Sequence, residues 1–250
     1  MNKFNIKKMI KKGFTLFEEA MYPEYKCISC GEELQDLSDR ICPECLSEID
    51  FHEGKVCKIC GAEISPQQVV CSSCKNVQYN FDCAISVCEY GNISGKIVKS
   101  LKYNGKKYVA KYMAKYMADT YFKSSEVADI ITFVPQNPIK GKFRGFDHAE
   151  LIANDLAKIL NLPIKNMLMR VKDTPNQASL PRSMRMTNLD GAFDIIKDLD
   201  LRTKTVLLVD DVYTTGATAN ECSLMLKKAN PRRIVTLTFA KTTDPNLLGA

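Results

Sequence analysis

The sequence has no long apolar run. None of its hydrophobic stretches approaches the roughly 20 residues that a membrane-spanning helix needs, so we expect no integral membrane segment. The first residues also lack the apolar stretch and the small-residue cleavage site of a secretory signal peptide. Together these absences predict a cytoplasmic protein.

The sequence also lacks two common signatures of phosphate and metal chemistry. The pattern Gly-x-x-x-x-Gly-Lys-Ser/Thr does not occur, which excludes a Walker-type nucleotide loop. Only two histidines are present, and the isolated positions of His52 and His148 favour surface or supporting roles over metal ligation. No charge of one sign dominates, because the sequence contains 35 lysines and arginines and 29 acidic residues. The net charge of +6 favours anionic partners such as phosphates or nucleic acid.

The composition divides the chain into three parts. A length of 250 residues, of which 45% are hydrophobic, suffices for one ordinary domain with a core and a small accessory module. Residues 1–25 carry apolar side chains at helical spacing among lysines, which predicts an amphipathic helix. Such a helix docks on the protein's own core, the interpretation we favour, or lies on a membrane surface. Residues 26–80 are rich in cysteine, and residues 81–250 are predicted to form the main domain.

Eight of the eleven cysteines form four Cys-x-x-Cys pairs, separated by 11, 11 and 10 residues. In a chain without an export signal this pattern indicates metal binding, not disulfides. Two such turns supply the four thiolates of a tetrahedral zinc site and leave no open position, so we predict two structural zinc ions. A redox dithiol would explain one pair but not four. The predicted zinc ligands are Cys27, Cys30, Cys42, Cys45, Cys57, Cys60, Cys71 and Cys74.

The spacing of the pairs leaves two wirings open. Sequential sites join the first pair with the second and the third with the fourth, whereas interleaved sites join the first with the third and the second with the fourth. Gly31 and Gly61 follow two of the pairs, as the tight turn of a zinc knuckle requires. Cys83, Cys88 and Cys222 do not fit the spacing and are interpreted as buried apolar residues.

Helix-like and strand-like patterns alternate after residue 94. A long helical pattern covers residues 94–122, and Tyr103-Asn104-Gly105 is a turn that interrupts it. Strands are predicted at 128–134, 205–209 and 233–239, and further helices at 146–160 and 217–228. This alternation predicts an α/β fold with a doubly wound, mainly parallel sheet.

The segment from Val206 to Thr218 is the most informative part of the sequence. An apolar strand is followed by Asp210 and Asp211, then by hydroxyl and glycine residues on a loop, then by a helix. The N–H groups of residues 215–218 suit a phosphate dianion, and Gly216 lets the backbone approach it closely. The two aspartates suit the 2′- and 3′-hydroxyls of ribose, directly or through a bound metal. A solvated acidic turn, or a different Mg²⁺ site, is the alternative.

These thirteen residues resemble the signature with which type I phosphoribosyltransferases bind phosphoribosyl pyrophosphate (PRPP). Residues 134–135 and 144–151 are similar to a strand-and-loop motif of the ComF family, with Asp147-His148 in place of the usual Asn-Gln. The resemblance covers about residues 15 to 240, and the combination with cysteine pairs is specific to the ComF family. Further matches are Met21-Tyr22-Pro23, Lys102-Tyr103 and the spaced polar residues between Arg170 and Phe193.

The resemblance implies a type I phosphoribosyltransferase domain over residues 81–250, behind a small N-terminal zinc-binding module. PRPP would bind together with Mg²⁺, under a hood formed by residues 171–190. Asp210 and Asp211 would act with Lys172 and Arg185, whose cations stabilise the departing pyrophosphate. The implied PRPP-binding residues are Pro135, Gln136, Asn137, Asp210, Asp211, Thr214, Thr215, Gly216, Ala217 and Thr218.

The resemblance further implies a role in DNA uptake during natural transformation, with the competence machinery and single-stranded DNA as partners. An alternative is a PRPP-dependent glycosyltransferase that acts on an unidentified nucleobase or amine and is unrelated to DNA uptake. Thr214 stands where some purine transferases carry an aspartate, and no other residue identifies itself as a general base, so whether the chain is an enzyme stays open. A third hypothesis is a zinc-stapled interaction protein without a ligand. Residues suited to single-stranded DNA are Lys96, Lys99, Lys102, Lys106, Lys107, Lys111 and Lys115 with Tyr103, Tyr108, Tyr112 and Tyr116.

Overall fold

The computed structural model of the chain describes residues 26–34, 40–136, 145–172, 189–196 and 199–242. The helix predicted for residues 1–25 lies outside these ranges. The chain divides into two compact units, Met1–Leu46 and Ser47–Ala250. None of the described helices combines the length and the apolar character that a bilayer crossing requires.

The described elements alternate along the chain as the sequence predicts. A short helix, α1 (Pro43–Ser47), carries Cys45 at the boundary between the two units. The elements that follow are β1 (Cys83–Glu89), α2 (Asn92–Tyr103), α3 (Tyr108–Lys123), β2 (Ile130–Phe133), α4 (His148–Leu160), β3 (Leu168–Arg170), β4 (Phe193–Ile195), β5 (Thr205–Tyr213), α5 (Ala217–Leu226), a 3₁₀ turn (Lys227–Ala229) and β6 (Arg233–Lys241).

Four of the strands form one parallel sheet, in the order β1-β6-β5-β2. β6 pairs with β5 from Thr205↔Arg233 to Tyr213↔Lys241, and β2 pairs with the first half of β5 from Ile130↔Val206 onward. The remaining two strands, β3 and β4, form a separate antiparallel ribbon. The predicted parallel α/β fold is therefore confirmed, whereas the ribbon and β1 have no counterpart in the sequence analysis.

The central strands β5 and β6 are buried on both faces. This burial is typical of a parallel sheet that helices cover on both sides. α3 packs against β1, β6 and α4, and α4 packs against β2 and β5. Val206 and Leu208 of β5 belong to a core cluster that includes residues of α5, the ribbon and the second cysteine group. Side chains alternate along a strand, so Leu207 and Val209 point to the opposite face.

β5 is longer than the sequence pattern suggests. The predicted strand ends at Val209, but its pairing with β6 continues through Tyr213. Asp210 and Asp211 therefore lie within the strand, and the prediction that they follow its end is wrong. Two adjacent aspartates are typical of a turn, so the sequence suggested that the strand ends before them. In the structure, backbone pairing with β6 keeps this part of the chain extended.

The helix boundaries follow local chemistry. The predicted interruption after Tyr103 separates α2 from α3, and Gly105 adopts a left-handed conformation with φ of 66°. α4 begins at His148, two residues later than predicted, because the Asp147 carboxylate accepts hydrogen bonds from the Ala149 and Glu150 N–H groups and so caps the helix.

Candidate functional site

Two groups of four cysteines form the metal-binding part of the chain. Within each group the Sγ atoms lie within 4.8 Å of one another. The distances between Cys30 and Cys42 Sγ and between Cys60 and Cys71 Sγ are 3.7 and 3.6 Å. Zinc–sulfur bonds of about 2.3 Å in a tetrahedron place the sulfurs about 3.8 Å apart, so the groups fit zinc. The groups are Cys27, Cys30, Cys42 and Cys45, and Cys57, Cys60, Cys71 and Cys74.

This grouping answers the question of wiring, because each site uses consecutive pairs. The two sites also repeat one backbone design at an offset of 30 residues for the first cysteine pair and 29 for the second. Gly31 N donates to Cys27 O and Gly61 N donates to Cys57 O, each at 3.0 Å, and both glycines have positive φ. Cys42 N and Cys71 N donate to the Sγ atoms of the first cysteines of their groups, at 3.4 and 3.3 Å. Such N–H donors stabilise the thiolate form that a metal needs.

The cysteines outside the two groups behave as the sequence predicts. Cys83, Cys88 and Cys222 are buried and free. Burial raises the pKa of the Cys83 thiol to about 11 and that of Cys88 to about 12. These thiols are therefore neutral, apolar parts of the core.

An open cleft lies where β5 meets α5, at the carboxyl end of the parallel sheet. The cleft is shallow, and its space of about 240 Å³ includes open solvent. Asp210 contributes the carboxylate of its lining, and Thr214 and Thr218 contribute half-buried threonines. Thr236 and Thr238 also line the cleft but are buried, and Thr238 Oγ1 is hydrogen-bonded to Ser86 Oγ at 2.8 Å. The remaining lining residues are Val212, Tyr213, Gly216 and Ala219. This is the crevice in which doubly wound sheets bind ligands.

The segment 214–218, here called the phosphate loop, joins the cleft to α5. Gly216 adopts φ of 81° and precedes the first residue of the helix. A Cβ on Gly216 would overlap the Tyr213 hydroxyl, so this position requires glycine for two reasons. The first N–H groups of a helix have no partner within the helix, so the start of α5 supplies donors beside the cleft, although Ala217 N already donates to Thr215 Oγ1 at 3.4 Å.

The two adjacent aspartates point to different surroundings, as the alternation of a strand dictates. Asp210 lines the cleft, whereas Asp211 is only 3% exposed. Asp211 Oδ2 lies 2.6 Å from Lys102 Nζ of α2 and 3.4 Å from His148 Nε2, at the start of α4. The sequence motif therefore supplies one carboxylate to the cleft and one to an internal ion pair.

Electrostatics reinforce this division. Burial and the neighbouring Asp211 carboxylate raise the pKa of Asp210 well above its usual value. Burial also opposes ionisation of Asp211, but Lys102 and His148 outweigh it and lower the pKa of that carboxyl. Burial acts against the charge of Lys102 as well, yet Asp211 keeps the pKa of the ammonium above its usual value. Of the two adjacent aspartates, Asp211 therefore carries the negative charge.

The other predicted site residues have varied positions. Pro135 and Gln136 follow β2 at the same edge of the sheet as Asp210, and Gln136 N donates to Asp147 Oδ2 at 2.8 Å. Lys172 follows the ribbon strand β3, and its Nζ is 3.5 Å from Asp190 O, so it does not line the described cleft. Asn137 and Arg185 lie outside the described residues, as does most of the predicted hood.

The basic and aromatic surface predicted for single-stranded DNA is only partly present. Tyr112 is buried, and its ring packs on Tyr116 at 4.8 Å between centroids. Tyr116 stacks on Phe51 at 5.5 Å, and Lys102 is engaged with Asp211. Tyr112 is therefore a core residue that cannot stack on a base, whereas Tyr116 is half-buried between Tyr112 and Phe51.

Known protein families match the chain in two segments. A model of the double zinc ribbon domain matches residues 17–75, and a model of the phosphoribosyl transferase domain matches residues 147–246. The first match contains both cysteine groups, and the second contains α4, β5, the phosphate loop and α5.

Curated relatives match most of the chain. Competence protein F of Haemophilus influenzae is 27% identical over 217 residues, which cover 84% of this chain and 94% of the relative. Competence protein ComFC of Bacillus subtilis is 25% identical over 203 residues, which cover 76% of this chain and 80% of the relative. DNA utilization protein YhgH of Escherichia coli K12 is 23% identical over 192 residues, covering 74% and 83%. Over most of its length the chain is therefore similar to the ComF-type competence proteins. The resemblance that the sequence motifs indicate is confirmed, together with the phosphoribosyltransferase domain.

Several residues of the site were not predicted from the sequence. Thr236 and Thr238 line the cleft from β6, and they were visible as the polar residues of an otherwise apolar strand. Lys102 looked like one lysine in a basic series. Its partner Asp211 is 109 residues further along the chain, and no local pattern connects the two.

Proposed function

We propose that this protein binds PRPP or a related ribose 5-phosphate in the cleft between β5 and α5, and that it serves in DNA uptake during competence. The observation that carries the proposal is the position of Asp210 and the phosphate loop on one cleft. The carboxylate suits the ribose hydroxyls, and the N–H groups at the start of α5 suit the 5′-phosphate. The role in DNA uptake is taken from the relatives named as competence proteins.

The structure favours unequal roles for the two aspartates. Asp210 has access to the cleft, and we infer that it alone accepts hydrogen bonds from the ribose. Asp211 is neutralised by Lys102 at 2.6 Å, so we infer that it supports the strand and the position of its neighbour. This modifies the expectation that both carboxylates contact the ligand.

Mg²⁺ fits this site as a companion of PRPP better than as a resident ion. His148, Asp210 and Asp211 offer ligand atoms within 4.8 Å of one another. Mg²⁺ prefers oxygen ligands, however, and the Lys102 ammonium already occupies one side of Asp211. Asp210 would therefore hold the ion together with oxygens of PRPP. When bound, the ion would offset the negative charge of the pyrophosphate.

Transfer of the ribose to an acceptor is the second candidate function, and one observation bears on it. Among the described residues that line the cleft, Asp210 is the sole carboxylate, and Thr214 holds the position at which some purine transferases carry an aspartate. The described part of the cleft therefore offers no second carboxylate to act as a base toward a nucleobase. We propose binding as the primary function and transfer as an activity to be sought with a set of nucleobases and amines.

Isothermal titration with PRPP tests the proposal. Wild-type protein should bind with a micromolar Kd, about 10⁻⁶ M, that weakens without Mg²⁺. Asp210→Asn should lose binding at least about a hundredfold, since it replaces the carboxyl group that would contact the ribose hydroxyls and Mg²⁺ with an amide. Asp200→Asn is the matched control, because Asp200 is exposed and pairs with Arg202. Absence of heat with wild-type protein, or equal affinity in Asp210→Asn, would exclude this cleft as the PRPP site.

A further inference from the structure

The chain segment that follows the second cysteine group contacts the phosphate loop and the start of α5. Val77 N donates to Cys74 O at 3.2 Å, so the chain leaves the metal group in a hydrogen-bonded turn. Tyr79 and Asn80 follow this turn, before β1 begins. Ala84 N of β1 donates to Ile59 O at 2.8 Å, which ties the cysteine group to the edge strand of the sheet.

Tyr79 and Asn80 contact both ends of the loop-to-helix junction. Tyr79 Oη donates to Thr215 O at 3.4 Å, and its ring would lie 3.1 Å from a Cβ on Gly216. Asn80 donates twice to Asn220 Oδ1, from its backbone N at 2.7 Å and from Nδ2 at 3.2 Å. Asn220 belongs to the first turn of α5, so two consecutive residues hold the loop and the helix that follows it.

The same contacts continue into a common core. The Tyr79 ring stacks on Phe81 with centroids 4.8 Å apart, and Phe81 meets Tyr213 edge-on at 6.2 Å. Lys241, itself 5% exposed, places its ammonium 4.2 Å from the centroid of the Tyr213 ring. Cys57, Cys60, Cys74, Phe81, Tyr213 and Ala217 all belong to one cluster of buried residues.

We propose that the second zinc ribbon is a positioning element of the ribose-phosphate site. Zinc bound by the group Cys57, Cys60, Cys71 and Cys74 fixes Tyr79 and Asn80, and these residues hold the phosphate loop and the first turn of α5 in the ligand-binding conformation. Loss of this zinc therefore loosens the loop and weakens ligand binding, whereas loss of the first zinc does not. The part that concerns ligand affinity rests on the proposed PRPP function.

Hydrogen exchange tests the coupling without any ligand. Cys60→Ser removes one ligand of the second group, and Cys45→Ser is the matched control in the first group, which belongs to the other compact unit. Mass spectrometry of amide exchange should show peptides covering residues 214–222 exchanging about tenfold faster in Cys60→Ser than in wild type. Cys45→Ser should exchange there as wild type does. Equal exchange in Cys60→Ser and wild type, with the second zinc lost, would overturn the proposal.

Subtler variants test the route and stay informative if Cys60→Ser fails to fold. Tyr79→Phe and Asn220→Ala should each weaken PRPP binding about three- to tenfold, the effect of one hydrogen bond, with zinc content and Tm close to wild type. Asn154→Ala is the control, since Asn154 makes an exposed bond to Glu150 O in α4. Unchanged affinity and unchanged exchange at 214–222 in both variants would contradict the proposal. Faster exchange in a protein that never binds PRPP would support the coupling and reject PRPP as the ligand.

Discussion

Lys102 Nζ of α2 lies 2.6 Å from Asp211 Oδ2 of β5, while the adjacent Asp210 lines the cleft. Two neighbouring residues of one motif thus make different contacts, because consecutive side chains leave a strand on opposite sides, although one oxygen of each carboxylate lies within 4.8 Å of the other. Asp211 stabilises the fold through a buried ion pair, and Asp210 remains for the ligand. This division can be tested by substituting the members of the pair one at a time.

Breaking the Lys102–Asp211 pair should destabilise the protein. Lys102→Met leaves a buried carboxylate without its partner, and we expect a loss of about 3 kcal/mol in the free energy of unfolding. The double variant Lys102→Met/Asp211→Asn should recover part of this loss, since no unpaired charge remains. Urea unfolding measures all three free energies. Removal of the exposed Asp200–Arg202 pair should cost less than about 1 kcal/mol. A loss in Lys102→Met as small as that from removal of the exposed pair would contradict the role of the buried pair.

The stability of the pair should depend on pH in a defined direction. The folded state lowers the pKa of Asp211, so its contribution is present above the unfolded value of about 4 and is lost as the pH falls through the folded-state pKa. The Tm difference between wild type and Asp211→Asn should therefore be constant near neutral pH and shrink below pH about 4. A difference that grows toward acid pH would show that Asp211 is not the stabilised carboxylate.

Asp210→Asn should have the opposite effect on stability. Burial and Asp211 raise the pKa of Asp210, so its ionised form destabilises the fold increasingly as the pH rises above about 4. Removal of the charge should raise the free energy of unfolding by about 1 kcal/mol at neutral pH while ligand binding is lost. Calorimetric Tm values at pH 5 and pH 8 check this, because the gain should be larger at pH 8. A lower Tm at both pH values would contradict the direction of the shift.

Gly216 should not tolerate a side chain. Alanine in the left-handed region costs about 1–2 kcal/mol, and in Gly216→Ala the new Cβ also overlaps the Tyr213 hydroxyl. Gly105 is the matched control, since it has φ of 66° but no atom within 4 Å of a built Cβ. We expect Gly216→Ala to lower Tm more than Gly105→Ala and to lose PRPP binding. Equal destabilisation by the two substitutions would contradict the close packing of Tyr213 on the loop.

The metal content should be two zinc ions per chain. Protein purified without chelator and analysed by plasma mass spectrometry should contain about two equivalents, and Cys45→Ser and Cys60→Ser should each retain about one. Because Cys60 belongs to the core cluster of the sheet and α5, Cys60→Ser should lower the Tm of the main domain, whereas Cys45→Ser should not. Protein that contains no zinc would contradict the assignment of both groups as zinc sites.

Much of the fold followed from local sequence patterns. The cysteine spacing indicated two metal sites, and the alternation of apolar strands and amphipathic helices indicated the parallel sheet. The strand β1 was not predicted, because its small residues and its two cysteines continue the composition of the preceding cysteine-rich segment. The end of β5 escaped because Asp210 and Asp211 read locally as a turn, although pairing with β6 keeps them in the sheet.

The candidate site was predictable where its residues are neighbours in the chain. The motif from Val206 to Thr218 identified the cleft, since strand, loop and helix are contiguous. The partners that adjust the site come from distant segments: Lys102 from α2, Tyr79 from beside the second cysteine group, and Thr238 from β6. Those contacts arise from tertiary packing, and a single sequence carries no signal that connects them.

The most direct test of the ribose-phosphate site is the response of backbone amides to PRPP, followed by nuclear magnetic resonance in ¹⁵N-labelled protein with Mg²⁺. A phosphate at the start of α5 should give its largest shifts at residues 214–219, with smaller shifts at Asp210 and Thr238 and none at Gly31 or Gly105. Such a pattern would establish the cleft as the binding site. Saturable shifts concentrated elsewhere, or no shifts at millimolar PRPP, would contradict it.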